Sequence, residues 1–147
     1  MKKYFLISSK IHYGLVLLAE LAIFFKSKKI VPLRDISKKS LISRKYLEQI
    51  ALPLEKSGII VGQRGKGGGY LLKKSPQKIS LLEIFEVLGE KPVFVRCLQK
   101  NKKSCYLNPH FYHLCASRLI LAKLQEVITE NLKGKNLADF LLPAYEK

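Results

Sequence analysis

A short run of glycines between two cationic residues constrains the fold of this chain more than any other feature. It reads Arg64-Gly65-Lys66-Gly67-Gly68-Gly69-Tyr70. Apolar residues at 59–61 lead into the run and apolar residues at 70–72 lead out of it, which predicts a short β-hairpin with a basic tip. Glycine permits positive φ angles, and it also lets the backbone approach another group closely, such as a phosphate.

Other interpretations of the glycine run have less support. A Walker-type phosphate loop needs a lysine followed by serine or threonine after the glycines, and this run lacks that pair. A dinucleotide-binding turn needs a helix after the glycines, whereas here Leu71-Leu72 continues as a strand and 73–76 ends it. An ordinary hairpin turn remains open, although two or three glycines suffice for a turn and basic flanks are not required.

Two predicted helices before the hairpin have the order of a helix-turn-helix. The first covers Leu33 to Ser40, and Leu41-Ile42 forms the turn. The second covers Arg44 to Lys56, between a Ser43 N-cap and a stop at Gly58. Pro53 removes a backbone donor inside the second helix and predicts a kink there. The residues expected to face the core are Leu33, Ile36, Leu41, Tyr46 or Leu47, Ile50 and Leu54.

The start of the second helix carries long polar side chains that suit the reading of DNA. Arginine and lysine reach phosphates or guanine, glutamine pairs with adenine, and glutamate accepts from cytosine. A solvated helix face has the same composition, but the basic hairpin that follows favours a winged helix-turn-helix. The candidate DNA-binding residues are Ser43, Arg44, Lys45, Glu48, Gln49, Arg64 and Lys66.

The charge of the chain indicates a polyanionic partner. Lysine and arginine total 27 against 11 aspartate and glutamate residues, a formal net charge of +16 over 147 residues. The excess is spread along the chain, which favours a folded basic face over a disordered basic arm. Nucleic acid is the first candidate and a membrane surface the second. We expect a mainly α DNA-binding domain over residues 1–90 and a sensor and dimerisation region over 91–147.

The first predicted helix begins at Ser8 or Ser9 and ends near Phe25. The apolar run within it is too short for a membrane span and includes Glu20. No small-residue cleavage site of a secretory signal follows the run, so we expect a cytoplasmic protein that does not associate with membranes. The residues expected on the core face of this helix are Tyr13, Val16, Leu17, Leu21 and Phe24.

The last long helix is predicted over 114–133, after a helix at 81–88 capped by Ser80. A helix this far from the DNA-binding region needs a surface on which to bury its apolar side. A symmetric partner helix gives a homodimer, and packing on the first helix of the same chain is the alternative. Residues 136–142 are predicted to cap the helix end against the neighbour. The apolar stripe contains Leu114, Leu121, Leu124, Ile128 and Leu132, with Ile120 and Val127 beside it.

Three cysteines, Cys97, Cys105 and Cys115, precede this helix with seven and nine residues between them. The spacing is a weak metal signature, because zinc sites usually begin with a pair two to four residues apart. Neighbouring lysines favour the thiolate, which is the form that binds iron or reacts with an oxidant. No nucleophile, base and orienting group occur at a suggestive spacing, so an enzyme is not predicted.

The order of these motifs resembles the Rrf2 family of bacterial transcription regulators, which includes IscR, NsrR and CymR. The resemblance extends over nearly the whole chain and implies a dimeric winged helix. It implies that Lys45, Glu48 and Gln49 read bases in the major groove and that the wing tip, with Arg64, lies in the minor groove. The motifs are Ser8-Ser9-Lys10-x-x-Tyr13, Ile42-Ser43-x-x-Tyr46-Leu47-Glu48-Gln49, Leu54-x-Lys56-x-Gly58 and Arg64-Gly65-x-Gly67-Gly68-Gly69-Tyr70-Leu71-Leu72.

The same resemblance implies an iron–sulfur site at the cysteines. Members with a 2Fe-2S cluster use three cysteines in this place. IscR-like members add a histidine three residues after the last cysteine, where this chain has Arg118, which is no ligand. NsrR-like members use an aspartate of the partner's first helix, and the matching position here is His12. His110 and His113 are further candidates, and the cysteine spacings are longer than usual in the family, so the fourth ligand remains open.

The resulting function hypothesis is a dimeric repressor that binds a double-stranded DNA operator. It senses iron–sulfur, redox or nitric oxide status through a 2Fe-2S cluster on Cys97, Cys105, Cys115 and His12. One alternative is a cluster-free regulator of the same fold that responds to a partner protein or small molecule, with the thiols redox-active, inert or bound to zinc. An iron–sulfur electron-transfer protein is an alternative of another class, and it would not need a basic helix or wing.

Overall fold

The computed structural model describes residues 7–91, 93–98 and 114–141. Within these ranges the chain forms a mainly α fold with one antiparallel hairpin, as predicted from the sequence. Short 3-10 turns lie at Pro76–Lys78, Arg96–Leu98 and Leu137–Phe140. The helices and strands are α1 (Ser9–Ile23), α2 (Leu33–Ser40), α3 (Arg44–Lys56), β1 (Ile60–Gln63), β2 (Gly69–Leu72), α4 (Leu81–Val87) and α5 (Ala116–Gly134).

Serine side chains begin three of the helices, as the sequence predicts. Ser8, Ser43 and Ser80 each accept a hydrogen bond from the backbone N–H three residues further on, at 3.4, 3.2 and 3.0 Å. Each cap satisfies one of the amide groups that the first turn of a helix leaves without an intrahelical partner. The bounds of α2 and α3 agree with the predicted ones, whereas α1 ends two residues before Phe25.

Glycine ends α3 as predicted. Gly58 has a φ of 76°, and its N–H donates to the carbonyl of Glu55 while Ile59 donates to that of Leu54, at 3.0 and 3.1 Å. This pair of bonds satisfies the last carbonyls of the helix and turns the chain sharply into β1. The helix continues past Pro53 to Lys56, and the kink expected at Pro53 stays a prediction.

The core lies where α1 meets α2, α3, α4 and the base of the hairpin. The prediction for α1 is partly confirmed, because Leu17 and Leu21 are buried whereas Tyr13, Val16 and Phe24 lie at the core's margin. Ile11 and Leu18, which were not among the predicted core residues, are fully buried. The buried apolar residues are Ile11, Leu17, Leu18, Leu21, Ala22, Val31, Leu33, Ile36, Ile42, Leu47, Ile50, Ala51, Leu54, Ile59, Ile60, Leu72, Ile79, Ile84, Leu88 and Leu137.

Leu41 does not face the core as predicted. It has a φ of 60° at the end of α2 and its side chain is 91% exposed. The left-handed conformation changes the direction of the chain after α2. As a result the next residue, Ile42, is buried in place of Leu41. The sequence pattern missed this because helical periodicity does not extend through a left-handed residue.

The chain after α5 packs back against the start of α4. Leu137 donates to the carbonyl of Ile79 at 2.9 Å, and Leu81 donates to that of Lys135 at 3.0 Å. The Leu137 side chain is 3% exposed within the core of the same chain. The expectation that this segment packs on a neighbour is therefore wrong for Leu137, and the division into 1–90 and 91–147 stays a prediction.

Candidate nucleic-acid interface

The turn between α2 and α3 is fixed by hydrogen bonds on both sides. The Ser37 hydroxyl donates to the carbonyl of Ile42 at 2.6 Å, and the Ser43 hydroxyl accepts from Tyr46 N–H. Ile42 is buried between these two bonds. The turn therefore holds α3 at a defined angle to α2, as a helix-turn-helix requires.

One side of α3 packs into the core and the other carries the candidate reading residues. Leu47, Ile50 and Leu54 are fully buried on the inner side. The structure leaves all of the predicted reading residues of this helix exposed, together with its N-cap: Ser43, Arg44, Lys45, Glu48 and Gln49. Arg44 Nε lies 2.9 Å from Glu48 Oε1, an ion pair within the exposed face of the helix.

The hairpin after α3 is the predicted wing. Strands β1 and β2 pair antiparallel, with Ile60 opposite Leu72 and Gln63 opposite Gly69. The tip spans 64–68, where the Gly68 N–H donates to the carbonyl of Gly65 at 3.0 Å. Arg64 and Lys66 are exposed at this tip.

Each of the four glycines has a conformational or steric reason in this structure. Gly65 and Gly67 have φ angles of 103° and 83°, which other residues rarely adopt. A Cβ on Gly68 would overlap the carbonyl oxygen of Gln63, and a Cβ on Gly69 would overlap that of Val31. The number of glycines is thus explained by turn geometry, and the basic side chains rather than the glycines carry the indication of a polyanion.

The root of the wing is joined to the segment before α2. Val31 and Tyr70 exchange two backbone hydrogen bonds, each 2.9 Å long. This isolated antiparallel bridge adds a third partner to the edge of the two-stranded hairpin. A two-stranded ribbon has little stability by itself, so the bridge helps to fix the wing beside the helix-turn-helix.

A cleft of about 670 Å³ lies between α3 and the wing. Arginines from three elements line it, namely Arg34 of α2, Arg44 of α3 and Arg64 of the wing. Arg34 was not among the residues predicted from the sequence. The sequence did contain one indication of its role: Arg34 lies at the start of the first helix of the helix-turn-helix, and that helix crosses the DNA backbone.

Acidic side chains also face this cleft. Glu48 and Glu55 are among its lining residues, as is Tyr70. Burial, and then the charges of Glu55 and Glu48, raise the pKa of Tyr70 above its usual value, while Arg64 acts in the opposite direction. The phenol is therefore neutral at physiological pH, and the two glutamates offset part of the positive charge of the arginines that line the cleft.

The candidate cluster ligands occupy different elements. His12 is exposed on α1, Cys97 lies in the Arg96–Leu98 turn, and Cys115 precedes α5 as its N-cap. Cys105, His110 and His113 lie outside the described residues. Among the residues that are described, no three histidine, cysteine, aspartate or glutamate side chains are grouped so that they could hold a metal ion.

A chain of aromatic contacts connects α1 with α3. The rings of His12 and Tyr13 lie 5.2 Å apart between centroids at a tilt of 39°. Tyr13 in turn meets Tyr46 of α3 edge to face at 5.7 Å. The position matched to a cluster ligand is thus two ring contacts away from the first turn of the candidate reading helix.

The fold and the arginines that line the cleft are those of a winged helix-turn-helix protein, and comparisons with known proteins give its family. The model of the Rrf2 family, described as iron-dependent transcriptional regulators, matches residues 7–142. The chain belongs to the Rrf2 family. Its relatives are transcriptional regulators and not enzymes. No helix in the described ranges has both the length and the apolar character needed to cross a membrane.

Individual relatives agree with this assignment. IscR of Pectobacterium atrosepticum is 30% identical over 135 residues, which cover 92% of this chain and 78% of that protein. IscR of Cereibacter sphaeroides is 39% identical over 85 residues, covering 57% of this chain and about half, 55%, of that protein. The structure of CymR, the global cysteine regulator of B. subtilis, matches with a TM-score of 0.73 and 29% identity, covering 96% of this chain and 97% of that one.

Proposed function

We propose that this protein is a sequence-specific, homodimeric DNA-binding repressor in the cytoplasm. The observation that carries this proposal is the common placement of Arg34, Arg44 and Arg64 around one cleft between α3 and the wing. Three arginines from three separate elements form a cationic surface that suits a phosphate backbone. The family assignment favours this function over electron transfer.

The exposed start of α3 would enter the major groove. Lys45 and Gln49 lie one helical turn apart on α3, and both are exposed. Glutamine can bond an adenine edge in two places, and a nearby glutamate such as Glu48 can accept from cytosine. The Ser43 hydroxyl oxygen accepts from Tyr46 N–H and so caps the helix. Its O–H could still donate to a phosphate oxygen.

The wing would add contacts in the adjacent minor groove. Arg64 and Lys66 project from a tip whose other residues are glycines, so little side-chain bulk keeps the backbone away from the DNA. A narrow minor groove has an enhanced negative potential that attracts arginine. The tip would therefore recognise groove width as well as phosphate charge.

An exposed apolar stripe of α5 supports a homodimer; it consists of Ile120, Leu124 and Val127, and it shares only Leu124 with the stripe predicted from the sequence. These side chains are 68%, 46% and 56% exposed, and α5 has no buried residue along its 19-residue length. Apolar residues three and four apart on an exposed helix face indicate a partner surface. A second copy of α5 would cover the stripe and place two reading helices on a palindromic operator.

Replacing Arg64 with alanine tests the DNA-binding proposal. A duplex enriched by the wild-type protein from a random-sequence library should bind Arg64→Ala about ten to a hundred times more weakly, since a good arginine contact is worth about 1–3 kcal/mol. The slope of log affinity against log salt should fall by about one. Fluorescence anisotropy over a salt series measures both quantities.

The matched control is Arg118→Ala, which removes the same charge from α5. Its affinity for the enriched duplex should stay close to that of the wild type, apart from a small long-range charge effect. Failure of the wild-type protein to enrich any sequence would contradict specific DNA binding. A general nucleic-acid coating protein would give that result, and it would bind all duplexes alike.

We further propose that Cys97, Cys105 and Cys115 hold a 2Fe-2S cluster, with His12 of the partner subunit's first helix as fourth ligand. The donor chemistry supports this assignment, because thiolates and imidazole are the ligands found at such clusters. The family's description as iron-dependent gives further support. When bound, the group would supply a site whose ligation changes with iron supply, oxidants or nitric oxide.

The residues of this chain could pass such a change to the DNA-reading helix. His12 contacts Tyr13, and Tyr13 contacts Tyr46 of α3. A shift of His12 would therefore press on the first turn of α3 through two aromatic rings. Operator binding would then depend on the state of the sensor, which is the differential interaction that an allosteric switch requires.

The visible absorption spectrum and iron content of anaerobically purified protein test the sensor. We expect a coloured protein with about two irons per chain, and we expect His12→Ala to lose most of the colour. His113→Ala is the control, and it should keep the colour if His12 is the ligand. A colourless wild type that cannot be reconstituted would contradict the cluster.

A cluster-free regulator is the second candidate. One observation favours it, namely the match to a protein named a cysteine regulator. In that case the signal would be a partner protein or a small molecule. Intact operator binding by colourless protein would identify this candidate.

A further inference from the structure

A side-chain hydrogen bond joins the end of α3 to the wing. Glu55, in the last turn of α3, accepts through Oε1 from the backbone N–H of Gly62 in β1 at 3.0 Å. The Glu55 side chain is half-buried in the cleft. A hydrogen bond to an ionised carboxylate is stronger than one between neutral groups, so this contact can hold the short strand against the helix.

Gly62 leaves the space that this contact occupies. A Cβ on Gly62 would lie 2.8 Å from Glu55 Oε1 and 3.0 Å from Cε1 of Tyr70. Tyr70 is the residue opposite Gly62 in the hairpin. The carboxylate oxygen and the aromatic ring therefore both lie close to the position that a Cβ of residue 62 would occupy.

The wing is attached on its other side as well. Tyr70 exchanges two backbone bonds with Val31, while Gly62 is bound to Glu55. The ladder between β1 and β2 has only four residue pairs. With a ribbon this short, its orientation depends on the points at which it is attached to the rest of the domain.

We propose that Glu55 is a positioning residue that fixes the wing relative to α3. It thereby sets where Arg64 meets the DNA when α3 lies in the major groove. The proposal rests on the proposed DNA-binding function. A carboxylate beside a phosphate-binding cleft repels the phosphate, and this chain of net charge +16 has only 11 acidic residues. If Glu55 favours DNA binding, it therefore does so through its hydrogen bond to Gly62 and not through its charge.

Two substitutions at Glu55 separate positioning from charge. Glu55→Gln removes the charge but keeps an oxygen that can accept from Gly62, whereas Glu55→Ala removes both. We expect Glu55→Ala to bind the enriched duplex about tenfold more weakly than the wild type. We expect Glu55→Gln to bind about as tightly as the wild type, because it keeps an acceptor for Gly62 and removes the repulsion, which offsets the weaker hydrogen bond to a neutral oxygen.

The expected difference between the two variants makes the outcome decisive. If charge alone mattered, both variants would bind more tightly, and that result would overturn the positioning role. Equal weakening of both variants would also overturn it. If the wild type enriches no duplex from the library, the proposed function fails first, and this result is distinct from either outcome with the variants.

A second substitution keeps the test valid if Glu55→Ala is also less stable. Gly62→Ala places a methyl carbon 2.8 Å from Glu55 Oε1, which is too close, so the carboxylate must move away from Gly62. In the wild-type background it should weaken operator binding, whereas in the Glu55→Ala background it should add a smaller loss, because the displaced group is already gone. Fully additive losses in this cycle would overturn the proposal, and thermal melting of all four proteins confirms that each is folded.

Discussion

Gly69→Ala should disable the wing and lower the stability of the whole DNA-binding domain. The new methyl group would overlap the carbonyl oxygen of Val31. This oxygen belongs to the backbone, so it cannot move away by a change of rotamer as a flexible side chain can. Relief requires breaking the two bonds between Val31 and Tyr70. We expect a loss of about 2–4 kcal/mol in the free energy of unfolding, measured by chemical denaturation.

Operator binding by Gly69→Ala should fall to the level of the nonspecific background, because a displaced wing cannot bring Arg64 to the DNA. Gly134→Ala is the matched control. Gly134 is the last residue of α5, and a methyl group added there would meet no neighbouring atom within 4 Å, so this variant should unfold and bind like the wild type. Unchanged stability of Gly69→Ala would show that the Val31–Tyr70 bridge does not hold the wing.

Placing glutamates on the apolar stripe of α5 should convert the protein to a monomer. In the double variant Ile120→Glu and Leu124→Glu, two charges would have to be buried between the paired helices without partners. We expect the operator affinity to fall about a hundredfold or more, because the second half-site is no longer held at high effective concentration. Sedimentation and DNA binding measured on the same samples test both effects.

Lys123→Glu is a charge-matched control for this variant, since it also lowers the net charge by two. Lys123 is exposed beside the stripe and pairs with Glu126 at 2.8 Å, a surface ion pair of small energetic value. This variant should remain a dimer. A dimeric double variant would show that the stripe is not the interface, whereas a monomeric control would show that the charge of α5 dominates.

Some features of this protein could be predicted because they depend on neighbouring residues in the chain. The bounds of α3 follow from Ser43 at its start and Gly58 at its end, and both act within three or four residues. The hairpin follows from a glycine run between two apolar stretches. The exposure of Lys45 and Gln49 follows from helical periodicity, because the buried residues of α3 occupy the opposite side.

Other features of the candidate site could not be predicted. Arg34 joins Arg44 and Arg64 only because α2, α3 and the wing meet around one cleft. The bond from Gly62 to Glu55 depends on the angle at which the chain leaves α3. Neither contact follows a sequence period, since each depends on how separate elements are packed.

The order of the helices, the hairpin and the basic character of the candidate DNA-binding surface all follow from the amino-acid sequence alone, and the order of the motifs indicates the family. These properties are local or compositional, so each is encoded within a few residues or in the whole composition. Three other properties required the folded chain: Gly69 must lack a side chain, Leu137 belongs to the core of its own chain, and Leu41 faces outward. Gly69 faces Val31 and Leu137 contacts Ile79, and such contacts between distant residues exist only once the chain has packed. The left-handed conformation of Leu41 turns its side chain outward, which no helical pattern indicates.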